Sequence, residues 1–179
     1  MGRRRIALTQ AGCGVSGWAK LLPMRFEHLI EINSPRVSIG TVVPPFTRSQ
    51  LWRGLLVRAQ TPQRFPMGPE RCDWAEPEPG RLQRTVHFGQ HVLQDEVVLE
   101  PEQRMVFTPQ PHGEAAPIRL SITIEEPQAG QMVLRFVYEA LAEQSAEEAY
   151  YNDYRHNAWL HNDRDMVRTL RQWLSDEGL

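Results

Sequence analysis

Lysine is nearly missing from this chain of 179 residues, which carries one lysine against nineteen arginines, and cysteine occurs only at positions 13 and 72. Two cysteines without C-x-x-C spacing exclude a disulfide framework and a cysteine zinc site, and they fit a reducing compartment, so a cytoplasmic protein is expected. No apolar run approaches the roughly 20 residues that a membrane-spanning helix needs, so no membrane span is expected. The formal charge of -2 is spread through the chain. Without a basic stripe to follow a phosphate backbone, nucleic acid is not an expected partner. A phosphate-cradling glycine loop, a dinucleotide fingerprint and a nucleophile motif built on Ser, Cys or Lys are all lacking, so no cofactor is expected. The arginines are scattered over every predicted element, and their excess is read as composition rather than as an anion site.

A chain with 41% hydrophobic and 23% charged residues is of ordinary globular composition, and its length suits one domain with a real core. Residues 1–23 begin with Arg3-Arg4-Arg5, but the apolar stretch behind them is about three residues long, short of the at least seven of an export signal. They are expected to be a poorly ordered extension, with Met24 as a second candidate start and the domain running over 24–179. Met24 leads into Arg25-Phe26-Glu27-His28-Leu29-Ile30-Glu31-Ile32, an alternating strand. After a Pro-bounded loop to Phe46, the capping box Thr47-Arg48-Ser49-Gln50 opens a short amphipathic helix, and Thr61-Pro62 opens a second.

Between Cys72 and Leu141 the period changes to two, broken by turn residues into six strands in meander. The hairpin at Gly89-Gln90 pairs positions that sum to 179, which sets Leu82 opposite Val97, Arg84 opposite Asp95 and Val86 opposite Leu93. Ser145-Ala146-Glu147-Glu148 is another capping box, and it begins a helix predicted to run to Asp176 and end before Gly178. Ala149, Asn152, His156, Trp159, Leu160, Asp163, Val167, Leu170 and Leu174 form its inward stripe, polar in the first half and apolar in the second. The whole order specifies an α+β helix-grip fold. A curved seven-stranded antiparallel sheet wraps a long C-terminal helix, with two short helices after the first strand and room for a cavity between sheet and helix.

The chain also resembles the AtaL-like family of the SRPBCC (START and birch-pollen-allergen) superfamily. The matches are Leu51-Trp52-Arg53-Gly54-Leu55, Arg58-Ala59, Pro62 to Phe65, Arg84, Phe88-Gly89, Phe136 with Tyr138, and Asp163 to Arg168. They cover Met24 to about Gly178. The resemblance implies the helix-grip fold and an internal ligand cavity, and it implies no particular reaction.

Candidate site residues follow from the inward faces. Arg84 and Asp95 are expected to face the long helix, either as a structural ion pair or as an anchor for a ligand's carboxylate or hydroxyl. His156, one turn from Asn152 and beside Trp159, is read as a hydrogen-bonded pocket histidine, with acid–base work as the alternative. Asp163 lies seven residues further on, about 10 Å along the axis, too far to orient it directly. Tyr138 and Trp52 complete the ligand-binding set of Arg84, Asp95, Tyr138, Asn152, His156, Trp159 and Trp52. Tyr150, Tyr151 and Tyr154 suit either a cavity rim or helix-to-sheet packing. His87 and His91 lie on different faces of their hairpin with no third ligand, so no metal site is expected. The expected function is to bind a hydrophobic, lipid- or polyketide-like small molecule as a carrier or sensor. The alternatives are a cofactor-independent cyclase, dehydratase or hydrolase using cavity His, Asp or Tyr, and a groove for another polypeptide.

Overall fold

The computed structural model describes residues 23–34, 44–113 and 115–176. The predicted extension up to residue 22, the loop at 35–43 and the helix-ending Gly178 lie outside the described residues. The described residues form seven strands and three helices. The strands are β1 (Arg25–Asn33), β2 (Arg71–Glu78), β3 (Arg81–Phe88), β4 (His91–Glu100), β5 (Arg104–Pro109), β6 (Ile118–Gln128) and β7 (Gln131–Ala140). The helices are α1 (Arg48–Gln60), α2 (Ala146–Tyr150) and α3 (Asn152–Asp176), with a single 3-10 turn at Pro62–Arg64. The strands make one sheet in the order β1-β7-β6-β5-β4-β3-β2, antiparallel throughout. This is the helix-grip arrangement expected from the sequence.

The alternation of each strand explains which face is buried. Leu82, Val97, Met105, Phe107, Ile122, Ile124, Leu134 and Phe136 meet α1 and α3 in one apolar core. Between strands the pairing is the predicted one, with Leu82 opposite Val97, Arg84 opposite Asp95 and Val86 opposite Leu93. The other face of β1, β6 and β7 meets water, and there Arg135 pairs with both Glu27 and Glu125 while Arg119 pairs with Glu139. Shifts of register between Glu31 and Asn33, Ala75 and Glu78, and Glu125 and Gln128 interrupt the ladder. Such bulges bend strands and strengthen twist, as a sheet folded about a helix requires.

Both predicted capping boxes form. Thr47 accepts from the Gln50 N–H while the Gln50 side chain accepts from the Thr47 N–H, and Ser145 and Glu148 do the same at α2. The second short helix is the 3-10 turn at Pro62–Arg64. One expectation needs correction. The long C-terminal helix is not continuous from Ser145, because Tyr151 (φ -89°, ψ 2°) separates α2 from α3. At that point the Tyr151 N–H bonds to the Glu148 carbonyl, a tighter turn than α-helix allows. Glu148 is already committed elsewhere, since its carboxylate accepts from the Ala116 N–H at 2.9 Å and ties α2 to the β5–β6 connection. A tertiary tie therefore sets the direction of α2, and Ala149, expected on the inward stripe, is exposed. From Asp163 onward the stripe behaves as read, with Val167, Leu170 and Leu174 buried.

Candidate ligand-binding cavity

A cavity of about 360 Å³ opens on the inner face of the sheet. Its walls come from β3 to β7, from the end of α1, from the segment 62–69 and from the first half of α3. Phe65, Phe107, Leu120, Tyr138 and Trp159 supply apolar area, while Arg58, Arg84, Asp95 and Asn162 supply the polar groups. An apolar cavity with a few converging polar side chains is the usual form of a small-molecule site. The segment 65–69 closes one side. It turns back sharply enough that a Cβ at Gly68 would lie 2.3 Å from the Pro62 carbonyl oxygen, so only glycine fits there. Met67, Phe88 and Leu93 stand exposed where the cavity meets solvent.

The Arg84–Asp95 pair is bidentate. Arg84 Nε donates to Asp95 Oδ1 at 2.8 Å and Nη2 to Oδ2 at 2.5 Å, while Nη1 donates to the Ala59 carbonyl at 2.7 Å. The guanidinium also lies over the Phe107 ring, 4.9 Å from its centre. Three fixed hydrogen bonds and one ring hold this cation still, which a lysine could not reproduce. A second cavity of about 530 Å³ shares Arg84 and Asp95 but is otherwise lined by Trp74, Gln83, Thr85, Gln94 and other mainly polar side chains of β2 to β4. It is larger, yet it offers little apolar surface to a hydrophobic ligand.

Deeper in the molecule, Asp163 is fully buried. It accepts from the Tyr138 hydroxyl at 2.7 Å and lies 3.5 Å from Arg58 Nη2. His28 Nε2 is 3.2 Å from Oδ2 of the same carboxylate, although its alignment is too poor for a hydrogen bond. Burial, reinforced by the adjacent Asp163 carboxylate, holds the Tyr138 phenol far above its ordinary pKa. Tyr138 is therefore a hydrogen-bond donor and not a base. Its ring stacks on Trp159 with centres 4.2 Å apart and planes 1° from parallel. His28 stacks on Phe136 with ring centres 5.0 Å apart.

Of the seven residues singled out from the sequence, the structure brings Arg84, Asp95, Tyr138 and Trp159 to the cavity wall. Trp52, Asn152 and His156 lie elsewhere. Trp52 is buried in the core cluster. Asn152, at the start of α3, donates to Gln144 at 2.9 Å. His156 stacks on Phe26 at 4.2 Å, so the edge strand β1 occupies the space that its imidazole was expected to share with a ligand. Sequence reasoning missed His28, Arg58 and Asn162, and it placed Asp163 on the inward stripe without naming its partners. The signals were present: His28 shares a strand face with Phe26 and Ile30, and Asp163 is a charge on the inward stripe just before its apolar half. The three tyrosines Tyr150, Tyr151 and Tyr154 are exposed. Cys72 is half-buried, and burial raises its thiol away from the reactive thiolate. Among the described residues no group of three or more His, Cys, Asp or Glu is placed to hold a metal, and no helix is long and apolar enough to cross a membrane.

His156 has a consequence for pH. Its Nε2 is buried without a hydrogen-bond partner among the described residues, and burial lowers its pKa below the ordinary 6.5. Above that value neither folded nor unfolded chain protonates it; as pH falls below, the unfolded chain takes the proton more readily and native stability drops. The carboxylates with lowered pKa, Glu148 among them, act further down, below the usual 4.5. His156→Leu should therefore flatten the melting temperature between about pH 7 and 5. At neutral pH it should leave stability near wild type or raise it, because removing an unpaired buried nitrogen offsets the lost ring stacking. Melting curves that keep the wild-type slope over that range would contradict this assignment.

Sheet, gripping helix and inner cavity together define a helix-grip protein of SRPBCC type. The chain belongs to the AtaL family, described as acetylaranotin biosynthesis cluster protein L, which it matches over residues 30–177. Among solved structures it is similar to the di-domain ARO/CYC StfQ from the steffimycin biosynthetic pathway, at 14% identity and a TM-score of 0.62 over 87% of this chain and 51% of that one. The di-domain ARO/CYC BexL from the BE-7585A pathway matches at 13% identity and 0.58, over 84% and 50%. The Zhui aromatase/cyclase from Streptomyces sp. R1128 matches at 11% identity and 0.56, over 86% and 96%. The chain thus spans about half the length of the two di-domain proteins and nearly all of the third, and at these identities the likeness is one of fold. No curated protein matches it in sequence.

Proposed function

We propose that this protein binds a flat, largely apolar ring compound in the cavity between sheet and α3, as a carrier or sensor. The observation that carries the reading is the cavity itself, where the stacked, parallel Tyr138 and Trp159 rings and the Phe65 and Phe107 rings meet the fixed Arg84 guanidinium. Aromatic walls favour a ring ligand by stacking, and immobilised polar groups orient it without a further ordering cost. Native mass spectrometry of the protein as purified, followed by titration with a dihydroxyanthraquinone, tests it. One equivalent bound, with quenching of tryptophan fluorescence that disappears in Trp159→Phe, is expected; no binding, or quenching that survives that substitution, would refute the reading.

One observation favours a second reading, a cofactor-independent cyclase. Tyr138 is kept protonated beside the cavity by burial and Asp163. Its single O–H is donated to Asp163, so on this reading the phenol turns from that carboxylate, which Arg58 still faces, and donates to a carbonyl oxygen as negative charge grows on it, the requirement for enolising a polyketone. The aromatase/cyclase names of the similar structures agree with this chemistry but belong to those proteins. Turnover of a poly-β-ketone analogue, lost in Tyr138→Phe with binding retained, would move the protein from carrier to enzyme.

A further inference from the structure

The charged groups at the cavity come in compensated pairs. Arg84 uses three of its five N–H donors, two on Asp95 and one on the Ala59 carbonyl. Arg58, the other cation on the wall, lies 3.5 Å from Asp163, which also accepts from Tyr138. The formal charges of Arg58, Arg84, Asp95 and Asp163 therefore sum to zero. His28 also stands against Asp163, but it is not on the wall. What the cavity offers is thus a set of spare N–H donors in a field that is cancelled locally.

We infer that this cavity selects uncharged ring compounds bearing hydroxyl or carbonyl oxygens and rejects carboxylates, with Asp95 as the residue that sets the preference. The inference rests on the ring-binding reading above and names the ligand class that reading would take. A neutral oxygen can accept from the remaining Arg84 or Arg58 N–H groups and lose little hydration. A carboxylate must give up its water and then meet Asp95, whose side chain is only 14% exposed, with no uncompensated cation in return. Through the spare N–H groups it meets a guanidinium that Asp95 already neutralises, and it can take the bidentate edge of Arg84 only by displacing Asp95 from two hydrogen bonds, which would leave one buried anion in place of another.

Calorimetric titration of the full chain with a dihydroxyanthraquinone and with the matching dihydroxyanthraquinone carboxylic acid, at about pH 7 where the acid is ionised, tests this. The neutral compound should bind at least about tenfold more tightly. Asp95→Asn keeps the shape of the pair and frees the charge of Arg84, so it should move the ratio about tenfold toward the carboxylate. Arg58→Gln removes the opposite charge and should move the ratio away from it, a second sign that remains readable if Asp95→Asn does not fold. Equal or tighter binding of the carboxylate by the wild type, or a ratio that neither substitution moves, overturns the inference. Binding of neither compound sinks the ring-binding reading and this inference with it.

Discussion

Asp95→Ala is expected to lower stability by about 3–5 kcal/mol, because it leaves the Arg84 guanidinium in place with its partner gone. The size follows from burial. The two side chains are 7% and 14% exposed, whereas an ion pair on the surface would be worth about 1 kcal/mol or less. Arg84 cannot swing out to water cheaply, since Nη1 is held by the Ala59 carbonyl and the guanidinium lies over Phe107. Replacing both members by apolar residues of similar volume, Arg84→Met with Asp95→Leu, should cost much less than Asp95→Ala alone, since no charge is then stranded. Chemical denaturation of the two single variants and the double variant completes a thermodynamic cycle. Simple additivity of the single effects would mean that the pair is not coupled.

Leu170→Ala is expected to cost about 2–5 kcal/mol, and the reason lies where α1 crosses α3. Leu170 is fully buried, and a Cβ built at Gly54 would come within 2.6 Å of its Cδ2. The helices approach so closely because residue 54 has no side chain. Gly54→Ala alone should be destabilising despite the roughly 1 kcal/mol of helix propensity it gains, since the overpacked Leu170 has nowhere to move. In the Leu170→Ala background the same methyl fills part of the gap and should recover stability. Opposite signs for Gly54→Ala in the two backgrounds are the expected result. The same sign in both would place the crossing elsewhere.

These two sites also mark how much the sequence disclosed. Period-two alternation and the Gly89-Gln90 turn were enough to place Arg84 against Asp95, because a sheet register leaves no freedom once one turn is fixed. The two capping boxes likewise gave the starts of α1 and α2, since each is a local exchange of hydrogen bonds. Contacts between distant elements were not legible. Beside the break at Tyr151, Glu148 reaches Ala116, 32 residues away. His156 faces Phe26 because β1 joins the sheet beside β7 and passes under the start of α3, so a helical stripe by itself could not say what fills the space in front of it. Asp163 drew attention as a charge on the stripe, but its partners Arg58, Tyr138 and His28 come from three other elements.

The indole N–H signals of the protein test most directly whether a ring compound lodges in the cavity against Trp159 and Arg84. The chain has five tryptophans, of which Trp52, Trp74, Trp159 and Trp173 lie at distinct places among the described residues, and single Trp→Phe variants assign their signals in a proton–nitrogen correlation spectrum. Saturation with the dihydroxyanthraquinone should shift the Trp159 indole signal most, because that ring lines the cavity and stacks on Tyr138. The Trp74 signal, from the second and mainly polar cavity, should stay where it is. Movement of Trp74 with Trp159 unchanged would put the ligand in the other cavity and contradict the account.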